Sequence, residues 1–283
     1  MALKIVTDST ADLPLRWIRE LNITVVPLNI HFGDEVYKDG VDIWSEEFYN
    51  RLRNEPLLPN TSQPSPGEFL KIYQSIASPG DTIIGIYISQ EMSGTAGSAK
   101  IAAELPGNSC RIEIIDSRFV SMALGLIVIK AARMAKNNNV TAAEIIAAIH
   151  DWQKQIAIYF TLNSLEYLHR TGRIGKASTL LGSLLNIRPI LSISDGVIIP
   201  SEKVRGNIQK VASVMVEKLV QQYGKTPLMI CVLHTEIPEV AQILQGIAEK
   251  NLNIAESYPS IVGPIVGSHA GPNTVGIIAL PAQ

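Results

Sequence analysis

Two hydroxyl-rich stretches, Asn60-Thr61-Ser62-Gln63-Pro64-Ser65-Pro66 and Ser89-Gln90-Glu91-Met92-Ser93-Gly94-Thr95, hold the side chains best placed for chemistry in this 283-residue chain. Each reads as a corner where a strand gives way to a helix. A helix start leaves backbone N–H groups unpaired and carries the positive end of the helix dipole, so a carboxylate or phosphate fits there without a cationic side chain. The bland reading stands beside this one. Ser93 at a helix start serves as an N-cap, and residues before Pro64 are driven toward extended geometry whether or not a ligand is present.

His269 lies in Val266-Gly267-Ser268-His269-Ala270-Gly271-Pro272-Asn273, which reads as a Gly-rich loop before a final strand. Glycines on both sides let the backbone approach a ligand, and imidazole can donate to an oxyanion. Arg170 and Arg173, in Leu168-His169-Arg170-Thr171-Gly172-Arg173-Ile174-Gly175, and Arg205 read equally well as solvated surface charges. Several chemistries are excluded by what is missing. Gly-x-Ser-x-Gly, Gly-x-Gly-x-x-Gly and Gly-x-x-x-x-Gly-Lys do not occur, so neither a nucleophile elbow nor a nucleotide loop is expected. His31, His150, His169, His234 and His269 show no metal-ligand spacing, and no metal site is expected. Cys110 and Cys231 suit reduced thiols rather than a disulfide framework.

The elements that must position these residues show a change of pattern along the chain. In the first half, Leu3 to Thr7, Thr82 to Ile88 and Arg111 to Ile115 read as strands, each followed by a helical pattern. Ser65-Pro66-Gly67-Glu68 and Thr141-Ala142-Ala143-Glu144 are capping boxes. This alternation predicts a parallel sheet flanked by helices, with ligands beyond the carboxyl ends of its strands. In the second half, Arg188 to Ser192 and Val197 to Val204 flank Asp195-Gly196, which predicts a tight antiparallel hairpin. Leu228 to Leu233, a helix from Pro238 to Lys250 and a final strand from Asn273 to Leu280 complete an α/β domain with a mixed or antiparallel sheet. The expected domains are residues 1–155 and 156–283. Two apolar helices, Phe119 to Ala135 and Leu180 to Leu185, read as core, or else as the wall of a cavity in which Ala123, Gly125 and Gly182 leave room.

Hydrophobic residues make up 46% of the chain, yet the apolar run Ala123 to Ile129 stops at Lys130, far short of the roughly 20 residues a membrane span needs. The start lacks the order of a secretion signal, so a cytoplasmic location is expected. Charges nearly balance, with 24 basic against 26 acidic residues and no like-charge run, which argues against a nucleic-acid surface.

Taken together, the chain resembles the DegV family of bacterial fatty-acid-binding proteins, the B subunit of fatty acid kinase. The resemblance runs nearly end to end, through Thr7-Asp8-Ser9-Thr10-Ala11-Asp12-Leu13-Pro14, Thr61 to Pro66, Ser93-Gly94-Thr95, Asp116-Ser117, Arg170 to Ile174 with Ile187-Arg188-Pro189-Ile190-Leu191, and His269-Ala270-Gly271-Pro272. It implies the two-domain DegV-like fold and no catalytic residue. A long-chain fatty acid is the implied ligand, in place of a cofactor. Its carboxylate would meet Thr61 and Ser93, with Ser62, Gly94 and His269 beside them. The implied partner is an ATP-dependent kinase subunit that makes an acyl phosphate for phospholipid metabolism, docking near Arg205, Arg170 and Arg173. A transient contact with a membrane surface is also implied. The chain departs from the family pattern at Thr171, Gly175 and Asn273. The alternative is an independent serine-dependent acyl hydrolase or transferase using Ser93 and His269.

Overall fold

A computed structural model describes residues 2–55, 58–107, 110–137, 139–182 and 187–283. They form two compact units, Met1–Lys154 with Gly263–Ile265, and Gln155–Val262 with Val266–Gln283.

The first unit runs β1 (Leu3–Asp8), a 3-10 turn (Ser9–Ala11), α1 (Leu15–Leu21), β2 (Thr24–Val26), β3 (Asn29–Phe32), β4 (Glu35–Lys38), α2 (Ser45–Asn54), β5 (Asn60–Ser62), α3 (Pro66–Ile76), β6 (Thr82–Tyr87), α4 (Thr95–Glu104), β7 (Arg111–Asp116), α5 (Met122–Ala135) and α6 (Ala142–Gln155). Strands β2-β1-β6-β7 form a parallel sheet. Their apolar, β-branched runs suit strands covered on both faces. Phe69 and Tyr73 of α3 and Ala96, Ala99 and Ala102 of α4 close a core over Val6, Val26, Ile83 and Tyr87. Outside that cluster α5 packs against β1 and β6, and it is buried without interruption from Met122 to Ala132.

Helix α5 settles the two readings of its small residues at one position. A Cβ on Gly125 would lie 2.7 Å from the Ala11 carbonyl oxygen and 2.8 Å from Met122 Sδ. The glycine therefore lets the chain after β1 approach closely, and the room it leaves is filled by backbone. The helix begins at Met122 rather than Phe119, because Arg118 and Ser121 take positive φ of 59° and 56°. The expected helix from Leu180 to Leu185 is not what forms at its start. A 3-10 helix covers Gly175–Leu180, and residues 183–186 lie outside the described residues.

The sequence pattern predicts only a parallel sheet here, yet the unit also contains an antiparallel sheet, β4-β3-β5. This corrects the local environment of the first hydroxyl stretch. Thr61 and Ser62 are strand residues, and the helix start belongs to Ser65, whose Oγ accepts from Glu68 N at 3.3 Å while the Glu68 carboxylate accepts from Ser65 N at 2.9 Å. Arg51 of α2 lies 4.1 Å from the Phe32 ring centroid and 5.1 Å from that of Tyr37, tying α2 to this sheet.

The second unit contains β8 (Ala157–Thr161), α7 (Glu166–Arg170), β9 (Arg188–Ser194), β10 (Val197–Val204), α8 (Ile208–Tyr223), β11 (Leu228–His234), α9 (Pro238–Asn251), β12 (Ile254–Ser257), β13 (Ser260–Ile261), α10 (Pro264–Ala270) and β14 (Val275–Pro281). The first two residues of α10 group with the first unit. The sheet is mixed, ordered β10-β9-β8-β14-β11-β12, with β13 also against β11. Asp195 and Gly196 have φ of 50° and 82°, the pair of positive angles that a tight I′ hairpin needs. Helices α8 and α9 bury Val211, Met215, Leu219, Leu244 and Ala248 against Ile230, Val232 and Ile277. Among the described residues no helix is long and apolar enough to cross a membrane.

Candidate functional site

Within the first unit, the carboxyl ends of β1 and β6 are where an α/β sheet gathers ligands. The chain leaving β6 passes Ser89 and reaches α4 through Ser93 and Gly94. The N-cap position is Gly94, with no side-chain cap, one residue beyond the serine that the sequence suggests. Ser93 Oγ is instead 2.9 Å from Thr95 Oγ1 and accepts from Thr95 N at 3.4 Å. The corner thus presents the half-buried Ser93 hydroxyl, backed by the fully buried hydroxyl of Thr95, beside an uncapped helix start.

Gly94 brings this corner to the other hydroxyl stretch. A Cβ placed on it would sit 2.6 Å from Gln63 Nε2, so the side chain after Ser62 lies directly over the Gly94 backbone. Gly94→Ala tests the contact. The obstructing atom is the far end of a flexible amide, so the expected loss is below about 1 kcal/mol, a fall of a few degrees in thermal melting. A drop beyond about 8 °C would show that Gln63 has nowhere to go.

Thr61 and Ser62 point to opposite faces of β5, as neighbours on a strand must. Thr61 pairs with Ile30, which is fully buried, and shares its face. Ser62 Oγ lies 2.8 Å from His31 Nε2 and accepts from Asn29 Nδ2 at 3.4 Å. Sequence reasoning missed His31 and Asn29. The signal was present in the alternation Asn29-Ile30-His31-Phe32, polar on one face and apolar on the other.

A buried carboxylate cluster supports these corners from within the unit. Asp8 accepts from Thr10 N at 2.9 Å, from the Thr10 hydroxyl and from Ile88 N at 2.8 Å. Asp12 accepts from the Ser121 hydroxyl and from Gly263 N at 3.0 Å. Asp39, in the turn after β4, is held by the Ser9 side chain, whose Oγ also accepts from Leu28 N at 3.1 Å. Burial is the main cause that pushes Asp8 up to about 6 and Asp39 up to about 7, and it raises Asp12 well above the usual carboxylate value. The hydrogen bonds oppose these shifts without cancelling them. Burial, then the nearby Asp12 and Asp39 charges, likewise raises Tyr49. Among the described residues no group of three or more His, Cys, Asp or Glu is arranged to hold a metal ion.

In the second unit His269 is not in a loop. It lies near the end of α10, which terminates at Gly271 (φ 75°) with its N–H donating to Gly267 O at 2.8 Å. Burial, and then the Arg173 cation, depress the His269 pKa to about 4. The imidazole is therefore neutral at pH 7, keeping one N–H donor and one acceptor nitrogen. Tyr167 joins this group unannounced by any motif. A Cβ on Gly271 would strike its ring at 2.5 Å, so the ring lies against the glycine. Arg173 Nη1 donates to Thr171 O at 2.5 Å, and the Thr171 hydroxyl donates to Tyr167 O at 2.7 Å.

The other arginines are peripheral. Arg170 pairs with Glu166 at 3.2 Å on an exposed turn of α7, and Arg205 is exposed after β10. Gly175 and Asn273, where the chain departs from the family pattern, both take positive φ, of 54° and 58°. At Gly175 a Cβ would meet Ile198 O at 2.6 Å, so glycine is required. Asn tolerates the left-handed region better than most residues.

Comparison with known proteins matches residues 2–282 to the family model described as "Uncharacterised protein, DegV family". A DegV domain-containing protein of Caldanaerobacter subterraneus is 36% identical over 275 residues, 96% of each chain. Among solved structures, a Thermus thermophilus DegV family protein described as fatty acid binding superposes with TM-score 0.92 at 30% identity, covering 99% of this chain and 100% of its own. DegV of Bacillus subtilis, described as a fatty acid binding protein, superposes with TM-score 0.90 at 32% identity, covering 99% of both chains.

Proposed function

Because the chain belongs to the DegV family, we propose that it binds a long-chain fatty acid and presents the carboxylate to a separate ATP-dependent kinase subunit. The product is an acyl phosphate destined for phospholipid metabolism. The observation that supports this reading is the Ser93–Thr95 corner, where the half-buried Ser93 hydroxyl and an uncapped helix start lie beneath Gln63, two residues after Thr61. The fatty-acid binding described for the Thermus and Bacillus relatives supports the choice of anion.

The division of labour follows from magnitudes. About fourteen methylenes at about 0.8 kcal/mol each supply on the order of 11 kcal/mol of gross transfer energy, before ordering costs. A hydrogen bond to a charged oxygen adds roughly 1.5–3 kcal/mol. Affinity comes mainly from enclosing the tail, while Thr61 and Ser93 fix the head group. Neutral donors leave the carboxylate oxygens nucleophilic, where a clamping guanidinium would compete for them. His269, neutral at pH 7, is assigned as a further donor, and Arg205, Arg170 and Arg173 as a docking surface for the kinase. In this reading the chain is a ligand-binding subunit of the kinase system and no catalyst itself.

Native mass spectrometry followed by denaturing extraction is the test. A co-purifying fatty acid, or saturable binding of labelled palmitate, is the expected result. An empty protein that also ignores palmitate would overturn the reading. The hydrolase alternative gains nothing from the corner, since among the described residues the Ser93 hydroxyl is bonded to Thr95.

A further inference from the structure

The edge of the small antiparallel sheet carries an apolar surface that the carboxylate site does not use. Of the eight large apolar side chains exposed among the described residues, three fall within nine positions: Val36 at 56%, Val41 at 60% and Trp44 at 49%. The segment that shows them is fixed. Asp39 and Ile43 point inward, Lys38 N donates to Asp42 Oδ2 at 2.8 Å, and the Lys38 carbonyl accepts from Val41 N and Asp42 N. Val41 is thus held outward at the tip of an ordered turn, and Trp44 follows at the start of α2. Large apolar side chains exposed along one short ordered segment mark an interaction surface, and tryptophan is enriched at the energetic centres of such surfaces.

The surrounding charge selects the occupant. Asp42, Glu46 and Glu47 are exposed in the same segment, interleaved with Val41 and Trp44, while Lys38 is engaged by Glu68 at 3.4 Å. Glu46 and Glu47 also suit the first turn of α2, but that role does not require Val41 or Trp44 to face water. Anionic lipid headgroups would be repelled. A second copy meeting this face through a two-fold axis would set like carboxylates against one another. A protein surface with an apolar socket ringed by Lys or Arg fits. Position bears on it as well: β4 is two strands from β5, about 10 Å from the strand that bears Thr61, and Val36 pairs with His31, so it shares the face of Ser62 and lies opposite that of Thr61.

We propose that the β4–α2 edge, through Val36, Val41 and Trp44 with the Asp42, Glu46 and Glu47 carboxylates, is a docking surface for the subunit that delivers phosphate to the bound carboxylate. This rests on the fatty-acid reading above and adds a contact separate from the arginines. The protein is loaded with palmitate and titrated against the kinase subunit of its own organism, following ADP release, at low and high salt. Trp44→Ser is expected to raise KM about tenfold or more, as loss of a central tryptophan does, with kcat, bound palmitate and melting temperature preserved. The exposed pair Glu46→Lys with Glu47→Lys should raise KM at low salt, and high salt should narrow the gap from wild type.

Unchanged KM in both variants, with wild type turning over, places docking elsewhere and leaves the fatty-acid reading intact. A fall in kcat alone also overturns the proposal. Wild-type protein that takes up no palmitate overturns the reading and the proposal together.

Discussion

Moving from pH 8 to pH 5 is expected to tighten the first unit and loosen the second. Asp8 and Asp39 have folded pKa values of about 6 and about 7 against a usual 3.8, and burial raises Asp12 well above its usual value too. Between pH 4 and 7 the folded unit therefore holds more protons than the unfolded chain, so its stability is present at low pH and is lost as pH rises through those values. His269 behaves oppositely. Its folded pKa of about 4 lies below the usual 6.5, so the unfolded chain binds the extra proton and stability falls as pH drops below about 6.5. At 1.36 kcal/mol per unit, the carboxylates give the first unit on the order of 2–4 kcal/mol on acidification, while the imidazole costs the second about 2 kcal/mol.

Hydrogen exchange resolved by peptide, corrected for intrinsic rates, reads the two units separately. Protection along β1, β6 and α5 should rise at pH 5, while protection along α10 and β14 should fall. Asp39→Asn, which keeps an acceptor for Ser9, should flatten the response of the first unit. Parallel shifts in both units, or an Asn variant as pH-sensitive as wild type, would show that these groups do not govern the response.

Replacing Thr61 and Ser93 together by alanine should reduce acyl-phosphate formation by about a hundredfold or more while leaving most of the stability and palmitate uptake. Two hydrogen bonds to a charged oxygen, at roughly 1.5–3 kcal/mol each, set that scale. The structural cost is smaller. Ser93 loses a hydroxyl contact with Thr95, and the helix start it adjoins is capped at Gly94 without a side chain, so its share of the loss is about 1 kcal/mol. The tail, which supplies most of the affinity, is untouched. The checks are an acyl-phosphate assay with the kinase, a melting curve, and palmitate stoichiometry by native mass spectrometry. Losses of activity and stability in equal measure would assign both hydroxyls to scaffolding.

What the sequence made legible was whatever repeats over short range. The parallel strands, the box at Ser65–Glu68 and the Asp195-Gly196 hairpin each follow from a local pattern with a physical cause. The antiparallel sheet escaped because its strands are three or four residues long, too short for a two-residue period to stand out. His269 was misplaced into a loop because Gly267 weakens a helical pattern, although Pro264 sits at the first helical position. The carboxylate cluster escaped for a different reason. Asp39 joins Asp8 and Asp12 only through tertiary folding, by way of Ser9, and no spacing in the chain records that. Glycine was legible as small but not as to what fills its space, which at Gly94 is Gln63 and at Gly125 is a carbonyl.

The order of synthesis meets an obstacle in the second sheet. Strand β14 lies between β8 and β11, antiparallel to both, yet a ribosome makes it after each of them. Until Val275–Pro281 has left the exit tunnel, β8 and β11 each offer an open edge that nothing native can close. Open edges are templates for pairing with other chains. The nascent second unit thus exposes two strand edges prone to aggregation, and a premature stop codon before residue 275 is expected to yield an aggregating fragment rather than a smaller folded protein.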